Sequence, residues 1–529
     1  MNRVELSLFA HRLAAICEEM GAVLKRSAIS PNIRDREDFS CALFTAQGEL
    51  ISQAAHIPVH LGSMAFAMID VVDSFQWQQG DIVLFNDPCL GGTHLPDITV
   101  VAPVYIDAHL VAFTAARAHH ADIGGSSPGS MGVETSLQDE GVIISPRYWF
   151  EGGTEQAQVK SLFYDYVRAP DERMGDLSAQ RAACLLGGRR LAELAVRADR
   201  LAPMFASLIE VSEQYGRTAI AAIPDGEYVF EDHLEGDGTK SAGTDPDSGR
   251  LLIRVSVCVN ADQVTVDFEG TSMQSRGPVN CPMSVTAASV FYVFRCLMPA
   301  YTPQTAAIFH SVSIRAEKGC LVHAQGDAAV AAGNVETSQR IVDVMAGALS
   351  KAVPDRMPAA AQGTMNNIIF GGDHVKSEDS RSEEKAWVYY ETLAGGMGAH
   401  AKGDGLSVVQ CHMTNTKNSS IEVLEMHYPL RVRRYEVRKN SGGEGRFRGG
   451  DGLVREWEVL EDCHLSLLTE RRETAPYGLA GGGSGMSGRN RLWRNGEWSA
   501  LPAKGSWQLQ AGDIIRIETP GGGGFGCDA

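Results

Sequence analysis

At 529 residues the chain is too long for a single compact core, so two to four domains are expected. A composition of 44% hydrophobic and 21% charged residues excludes wholesale disorder. The formal net charge of −18, from 47 Lys and Arg against 65 Asp and Glu, argues against a nucleic-acid partner, because neutralising phosphates requires a basic face.

The N-terminal segment reads MNRVELSLFAHRLAAICEEMGAVLKRSA. Charged residues interrupt its apolar stretch, so it does not resemble a signal peptide, and its apolar residues recur at steps of three and four, which predicts an amphipathic helix. No run in the chain reaches the roughly 18 apolar residues of a membrane span. The 11 cysteines are scattered without a CxxC pair, which suits reduced thiols. We therefore expect a soluble cytoplasmic protein.

The region up to residue 230 mixes helix and strand patterns. The segment CALFTAQGELISQA predicts a hairpin that turns at Gln47 and Gly48, and GSMAFAMIDVVDSF predicts a helix. The segments DIVLFNDP and ITVVAPVYIDAHLVAFTAARAHH predict strands with a turn near Asp107. One or two helices are predicted between Gln180 and Leu208. We interpret residues 1–230 as an α/β domain.

The remaining sequence predicts two further domains, at residues 231–420 and 421–529. In the first of these, YVFEDHLEGDG and LLIRVSVCVNADQVTVDFEGT predict an antiparallel meander, and VTAASVFYVFRCLM and SQRIVDVMAGALSKAV predict buried helices. The polar segment GGDHVKSEDSRSEEKAW predicts an exposed loop. Short strands separated by glycines then predict a β-rich C-terminal module. The expected fold class is α+β, with several domains.

Histidines are concentrated in one part of the first domain. Six of the 15 histidines fall within 65 residues, namely His56, His60, His94, His109, His119 and His120. The motif His94-x-x-Asp97 precedes one predicted strand, and His119-His120-x-Asp122 ends the next. Each histidine alone is more often structural than a ligand, but the combined pattern favours a shared site.

A hairpin between these two strands would bring both motifs together. Asp97 lies ten residues before Asp107 and His119 lies twelve residues after it, so a turn near Asp107 would place both at one end of the sheet. Imidazole nitrogens with carboxylate oxygens are a ligand set for Zn²⁺, Mn²⁺ or Fe²⁺. Such a site can keep one position open for water. The residues alone therefore predict a metal site.

Two glycine-rich segments are interpreted as structural. The segment GSGMSG at residues 483–488 matches a dinucleotide-binding pattern, but a strand pattern follows it where that motif requires a helix. The segment TPGGGGFG favours a closely packed or flexible loop over an anion-binding cradle. No GxxxxGK[ST] phosphate loop is found in the sequence.

Long motifs along the whole chain carry a family resemblance. They include DREDFSCALFTAQGELISQAAHIPVHLGSM, FNDPCLGGTHLPDITVVAPV, RAHHADIGGSSPGSM, GPVNCP, GTMNNIIFGG, YETLAGGMGAH and ETPGGGGFG. In these motifs the chain resembles the hydantoinase B / oxoprolinase family. That family includes B subunits of N-methylhydantoinases, ATP-dependent lactamases and 5-oxoprolinases, with acetone and acetophenone carboxylase subunits as distant members.

The resemblance implies roles for particular residues. Asp38, His94, Asp97 and His119 would hold the metal, with His120 as the alternative to His119. His120 and Asp122 would orient the ligands or transfer protons during catalysis. Asp38 is the one metal ligand that comes from the resemblance alone.

The resemblance also implies a function and a partner. The expected protein is the B subunit of an ATP-dependent cyclic amide hydrolase, which opens a hydantoin, 5-oxoproline or lactam ring and is active only with its partner. The expected cofactor is one divalent transition metal, most simply Zn²⁺, with Mn²⁺ or Fe²⁺ as alternatives. The expected partner is an A-type, actin/sugar-kinase-like ATPase that binds ATP, in αβ pairs assembled as (αβ)2. The alternatives are a subunit of a ketone carboxylase and a non-catalytic scaffold for the ATPase.

Overall fold

The computed structural model describes residues 3–54, 56–195, 198–239, 249–372 and 386–527. Its helices are α1 (Arg3–Ser27), α2 (Pro31–Arg34), α3 (Val59–Asp73), α4 (Leu137–Glu140), α5 (Ala157–Tyr166), α6 (Pro170–Ala195), α7 (Ala198–Ala221), α8 (Met283–Cys296), α9 (Ser338–Leu349) and α10 (Ile421–His427). A π-helical turn (Gly333–Thr337) runs directly into α9.

The strands found in the described residues form four sheets. They are β1 (Phe39–Thr45), β2 (Leu50–Gln53), β3 (Ile82–Phe85), β4 (Asp97–Ile106), β5 (His109–His119), β6 (Arg147–Glu151), β7 (Thr154–Glu155), β8 (Gly226–Leu234), β9 (Leu251–Asn260), β10 (Gln263–Asp267), β11 (Val312–Arg315), β12 (Asn367–Gly372), β13 (Trp387–Thr392), β14 (Leu430–Arg438), β15 (Gly452–Val459), β16 (Cys463–Leu468), β17 (Arg489–Arg494), β18 (Glu497–Leu501), β19 (Lys504–Leu509) and β20 (Ile514–Glu518). Helices and strands are mixed, which confirms the predicted α+β class.

The first sheet has seven antiparallel strands in the order β2-β1-β5-β4-β3-β6-β7. Apolar residues on one face pack against α1 and α6, and those on the other face pack against α3. The predicted periodicity of α1 is confirmed, because Leu6, Phe9, Leu13, Ile16 and Met20 are all buried. Because helices cover both faces of the sheet, the central strands consist of nearly continuous runs of apolar residues.

The second sheet has the order β11-β10-β9-β8, and α8 and α9 pack with it in one apolar core. The antiparallel meander predicted for this region is confirmed for β8, β9 and β10, whereas β11 pairs in parallel with β10. The two helices predicted here are also found, and all twelve residues of α9 are buried.

The third and fourth sheets make up most of the C-terminal region. Their orders are β13-β12-β16-β19 and β14-β15-β20-β17-β18, and both contribute to one apolar core. The third sheet joins strands from both sides of the predicted boundary at residues 420 and 421. The division into domains at residues 1–230, 231–420 and 421–529 stays a prediction.

The C-terminal glycines pack closely against other backbone segments. A Cβ atom at Gly521 would lie 2.0 Å from the Ser441 carbonyl oxygen, and one at Gly523 would lie 2.0 Å from that of Tyr477. Such contacts require glycine. Of the two predicted forms of this loop, closely packed or flexible, they agree with the closely packed form. The GSGMSG segment leads into β17, as predicted for a turn.

Two further observations concern sequence predictions. The predicted exposed loop at residues 371–387 lies, from 373 to 385, outside the described residues. Within the part of the chain that the structure describes, no helix is long and apolar enough to cross a bilayer.

Candidate metal centre

The β4–β5 hairpin brings the two predicted motifs to one end of the first sheet. The chain turns at Asp107 and Ala108, which have φ values of 50° and 63°, as a tight hairpin turn requires. The register then pairs Asp97 directly with His119. The predicted hairpin and its nearly symmetric register are therefore confirmed.

Three side chains converge at this sheet end. One potential ligand atom from each of His94, Asp97 and His119 lies within 4.8 Å of the other two. Ligand atoms around a tetrahedral zinc ion with bonds of about 2.0–2.1 Å lie roughly 3.4 Å apart. A modest contraction of the cluster would therefore seat one ion. All three side chains are buried, with exposed fractions of 3% or less.

Asp38 borders the same site. It directly precedes β1, and its carbonyl oxygen accepts a hydrogen bond from the His119 backbone N–H at 3.0 Å. Burial raises the pKa of its carboxyl group, and Arg36 opposes that effect. Asp38 lines the cavity shared by Asp97 and His119, but its carboxylate is not one of the three mutually close groups.

His60 also reaches the cluster, and sequence analysis assigned it no role. It lies in the first turn of α3, with Nε2 3.4 Å from Asp97 Oδ2 and Nδ1 2.9 Å from Ser40 Oγ. The concentration of histidines in this region was the available signal. Nothing in the spacing of His60 connected it to the β4–β5 hairpin.

The electrostatics of the cluster favour an ionised carboxylate at Asp97 and a neutral ring at His119. Burial alone would raise the pKa of Asp97, but His94 and His60 outweigh burial and hold that pKa well below its usual range. Burial holds the pKa of His119 well below its usual range. The Asp97 carboxylate and the neutral His119 ring are in the protonation states that bind metals.

In the described ranges of the chain, several donor and acceptor atoms of the cluster have no hydrogen-bond partner. These buried atoms are both ring nitrogens of His94, Oδ1 of Asp97 and Nε2 of His119, although His94 Nε2 lies 3.3 Å from Asp97 Oδ2. A buried polar atom without a partner costs about 1–3 kcal/mol, so a group of them requires an explanation. Their nitrogen and oxygen chemistry fits a divalent transition metal.

Neighbouring side chains fix the orientation of the candidate ligands. Thr93 donates a hydrogen bond to Asp97 Oδ2. The Asn32 side-chain amide lies 3.3 Å from His119 Nδ1, and the Tyr390 ring stacks on His119 with centroids 4.8 Å apart. Such contacts set the ring orientation of metal-binding histidines.

His120 and Asp122 have partners away from the cluster. Nε2 of His120 lies 2.9 Å from Gln180 Oε1 in α6, and burial lowers the pKa of His120 to about 4. The Asp122 carboxylate accepts hydrogen bonds from the Gly124 and Gly129 backbone N–H groups and from Arg168. The structure thus places His119, and not His120, beside His94 and Asp97. The catalytic roles of His120 and Asp122 stay predictions.

The cluster borders a small cavity whose free volume, including space open to solvent, is about 290 Å³. Asp38, His60, Asp97 and His119 line it, as do Ile57 and Val59. The remaining walls come from the π-helical turn, Met365, strand β13 and residues 413–414. The candidate metal centre therefore lies where the first sheet meets the later parts of the chain.

The family model of hydantoinase B/oxoprolinase matches residues 2–528. The chain belongs to this family. The resemblance carried by the sequence motifs is thereby confirmed.

Known relatives in this family include enzymes and enzyme subunits. The chain is 36% identical to 5-oxoprolinase 1 of Arabidopsis thaliana over 99% of its own length, but it spans only 42% of that protein. It is 32% identical to a putative D-/L-hydantoinase B subunit of a Pseudomonas species, covering 97% of this chain and 88% of the relative.

A solved structure shows the same fold. The ATP-dependent caprolactamase of Pseudomonas jessenii superposes with a TM-score of 0.89 at 26% identity, covering 99% of this chain and 91% of that chain. The hydantoinase B/oxoprolinase family thus contains ATP-dependent hydantoinase, oxoprolinase and lactamase-type proteins.

Proposed function

We propose that this chain is the metal-bearing B subunit of an ATP-dependent amidohydrolase, which opens a cyclic amide together with an ATP-binding A subunit. The observation that carries the proposal is the buried cluster of His94, Asp97 and His119. Among the described residues, the His94 ring nitrogens, Asp97 Oδ1 and His119 Nε2 have no hydrogen-bond partner. Family membership supports cyclic amide hydrolysis as the class of reaction. Hydantoin, 5-oxoproline and lactams are the candidate substrates.

The chain's own residues would hold one divalent ion. His94, Asp97 and His119 are the central ligands in this proposal, and Asp38 from the same cavity completes the set. Zn²⁺ suits this donor set best, with Mn²⁺ and Fe²⁺ as alternatives. When bound, such an ion polarises a carbonyl oxygen and lowers the pKa of a coordinated water molecule.

The residues around the ligands would orient them and limit access of water. Ser40 contacts His60, which in turn lies against Asp97, so the carboxylate is held from the first turn of α3 as well as from its own strand. Tyr390 covers one face of His119. Burial of the whole cluster keeps bulk water out, which strengthens electrostatic interactions with a substrate.

A partner chain follows from the energetics and the sequence. Opening an unstrained amide ring is thermodynamically poor, because the amide is stabilised by resonance and the product can close again, so coupling to ATP is needed. The sequence has no GxxxxGK[ST] phosphate loop. The Pseudomonas relative is named as one subunit of a hydantoinase, which supports a division of labour between two chains. We propose an A-type, actin/sugar-kinase-like ATPase as partner, in αβ pairs assembled as (αβ)2.

The test compares the partner-bound complex with two histidine variants. His94→Ala should lose the bound metal and lower ATP-dependent opening of hydantoin, 5-oxoproline or caprolactam by at least about 100-fold, since it removes a ligand. His109→Ala is the matched control, because His109 is exposed at the opposite end of the same hairpin. Elemental analysis and product formation are the measurements.

Two outcomes would contradict this assignment. Full turnover per folded molecule in metal-free His94→Ala would indicate a non-catalytic scaffold. ATP hydrolysis that requires a ketone and bicarbonate, without opening of any cyclic amide, would indicate the carboxylase alternative.

A further inference from the structure

Two residues with buried polar side chains line the cavity beside the candidate metal centre. Asn334 and Thr414 both line this cavity, with exposed fractions of 3% and 4%. Among the residues that the structure describes, neither Asn334 Oδ1 nor Thr414 Oγ1 has a hydrogen-bond partner. Neither residue belongs to the cluster of candidate metal ligands.

Asn334 is held in a rigid segment. It lies in the π-helical turn, directly after Gly333, whose N–H donates a hydrogen bond to the Pro278 carbonyl oxygen at 2.9 Å. A Cβ atom at Gly333 would lie 1.8 Å from the Asn280 carbonyl oxygen, so the turn packs directly on that backbone. Isolated π-helical turns occur frequently at functional sites.

Asn280 supports this turn and is not itself available to a ligand. Its Oδ1 accepts a hydrogen bond from the Ser275 N–H, and its Nδ2 lies within 3.0 Å of the carbonyl oxygens of Ser275, Gly277 and Ala329. The Asn280 side chain of the GPVNCP motif is therefore fully occupied by hydrogen bonds to neighbouring backbone groups. Because Gly333 packs directly on the Asn280 backbone, these hydrogen bonds also fix the position of Asn334.

Unsatisfied buried acceptors are destabilising, and they are retained where a ligand supplies the missing donor. An amide within a small ring has its N–H and C=O on the same edge, because the ring holds the amide cis. One part of the cavity can therefore contact the carbonyl oxygen while another accepts a hydrogen bond from the N–H. Asn334 supplies a fixed acceptor for the second contact.

We propose that Asn334 Oδ1 accepts a hydrogen bond from the ring N–H of the amide to be opened, with Thr414 Oγ1 as a second polar contact. This inference rests on the proposed function and deepens it, because it assigns the substrate class as cyclic amides that carry a hydrogen on the scissile nitrogen. Asn334 is a specificity-determining residue in this assignment. It selects against amides whose nitrogen is alkylated.

The test pairs a change in the protein with a change in the substrate. The partner-bound complex is assayed for KM, kcat and inhibition constants with a lactam and with its N-methyl derivative. The wild type should favour the N–H form by about 10-fold or more in KM or inhibition constant. Asn334→Leu should raise the KM for the N–H form by about 10-fold and abolish the preference, because the N-methyl form makes no such bond.

Further variants separate recognition from folding. Asn334→Asp keeps an oxygen at the position of Oδ1 and should therefore keep the preference for the N–H lactam over its N-methyl form. Thr414→Val should reduce that preference, but by a smaller factor than Asn334→Leu. Thr416→Val is the matched control, because the Thr416 hydroxyl already pairs with Thr392 Oγ1 at 2.7 Å. Thermal unfolding and metal content are measured for each variant.

The outcomes distinguish this inference from the proposed function. Two results for Asn334→Leu would overturn the role of Asn334 and leave the proposed function standing. One is binding of the lactam and of its N-methyl derivative that is weakened by the same factor, and the other is an unchanged preference for the N–H lactam. A metal-loaded wild-type complex that opens no cyclic amide would overturn both.

Discussion

Asp97 and Asp122 illustrate how two similar sequence motifs acquire different roles at the scale of single residues. Asp97 lies beside two histidines, and its Oδ1 has no hydrogen-bond partner within the described chain segments. Both oxygens of Asp122 accept backbone N–H groups, and Arg168 adds a charged hydrogen bond. A carboxylate bound in this way holds its loop in place, because both of its oxygens already accept hydrogen bonds.

We predict that Asp122→Asn lowers stability and leaves the metal centre intact. The amide loses the charge that pairs with Arg168, and one backbone N–H then faces an NH2 group, so the loss should be about 2–3 kcal/mol. Thermal unfolding and metal content measure the two effects. A large fall in turnover with unchanged stability and metal content would instead support the catalytic role predicted from the sequence.

Glu336 in the π-helical turn is a second residue whose surroundings determine its charge. Burial raises the pKa of Glu336 from the ordinary 4.5 to about 8, with Glu470 contributing and a hydrogen bond from Thr364 and the charges of Lys504 and Arg472 opposing. One carboxyl oxygen accepts hydrogen bonds from the Met365 N–H and from Asn367 Nδ2. The neutral acid is therefore the form that suits this site.

We predict that Glu336→Gln gains stability relative to the wild type as the pH rises from about 5 to 8. In this window the folded protein keeps a proton that the unfolded chain has released, so wild-type stability falls by up to about 1.4 kcal/mol per pH unit, whereas Gln does not titrate. Above pH 8 the difference in stability between Glu336→Gln and the wild type should become constant. Measurements of the free energy of unfolding at several pH values test this, with Glu231→Gln at an exposed position as the control. A difference independent of pH would contradict a neutral Glu336.

At the scale of elements, the end of the β4–β5 hairpin is held in place by Arg117. This buried guanidinium in β5 donates hydrogen bonds to Thr99 Oγ1 in β4, to Ser63 Oγ in α3 and to the Gly91 carbonyl oxygen. It thus connects both strands of the hairpin to the helix that carries His60. It also fixes the segment that leads into His94.

We predict that Arg117→Lys destabilises the protein by about 2–4 kcal/mol and weakens metal binding. A lysine has one nitrogen and cannot reach three separate acceptors, so buried oxygens are left without donors. Thermal unfolding and metal titration are the measurements. Arg147→Lys, on exposed β6 surface, is the control and should change stability by no more than about 0.5 kcal/mol. Equal effects of the two substitutions would contradict the connecting role of Arg117.

The hairpin could be predicted from the sequence because its signals are local. Strand patterns and a short turn determined the register that pairs Asp97 with His119. Asp38 required the family resemblance, because it reaches the site only through the pairing of β1 with β5, which are separated by some 70 residues. Asn334 was missed because its role depends on the packing of the π-helical turn, which leaves no local pattern.

At the scale of the whole molecule, buried ion pairs connect the second sheet, α9 and the C-terminal region. Arg471, which follows β16, donates to Asp232 of β8 at 2.7 Å and to Asp343 of α9 at 2.6 Å. Arg340 of α9 lies 3.2 Å from Glu470, and Lys504 also pairs with Glu470. The third sheet crosses the predicted boundary at residue 420 as well. The later parts of the chain are therefore coupled by polar contacts in addition to apolar packing.

We predict that Arg471→Met destabilises the protein by about 3–5 kcal/mol, because it removes the guanidinium that donates hydrogen bonds to both Asp232 and the buried Asp343. Arg340 remains beside the two carboxylates, but at longer distances of 3.5 Å and 3.8 Å. Burial alone would raise the pKa of Asp232, but Arg340 and Arg471 outweigh burial and lower that pKa from 3.8 to about 2. A lowered carboxyl pKa contributes stability that is complete above the unfolded value and is lost as the pH falls towards 2. The difference in free energy of unfolding between the wild type and Arg471→Met should therefore be largest above about pH 5 and should decrease below about pH 4.

Arg494→Met is the matched control for this prediction. Arg494 forms a similar pair with Asp513, but about a third of its side chain is exposed, so its loss should cost no more than about 1 kcal/mol at any pH. Thermal unfolding of both variants across this pH range measures the comparison. Two results would show that apolar packing alone couples these parts of the chain. One is a loss of unfolding free energy in Arg471→Met that stays constant down to pH 3, and the other is a loss no larger than that in Arg494→Met.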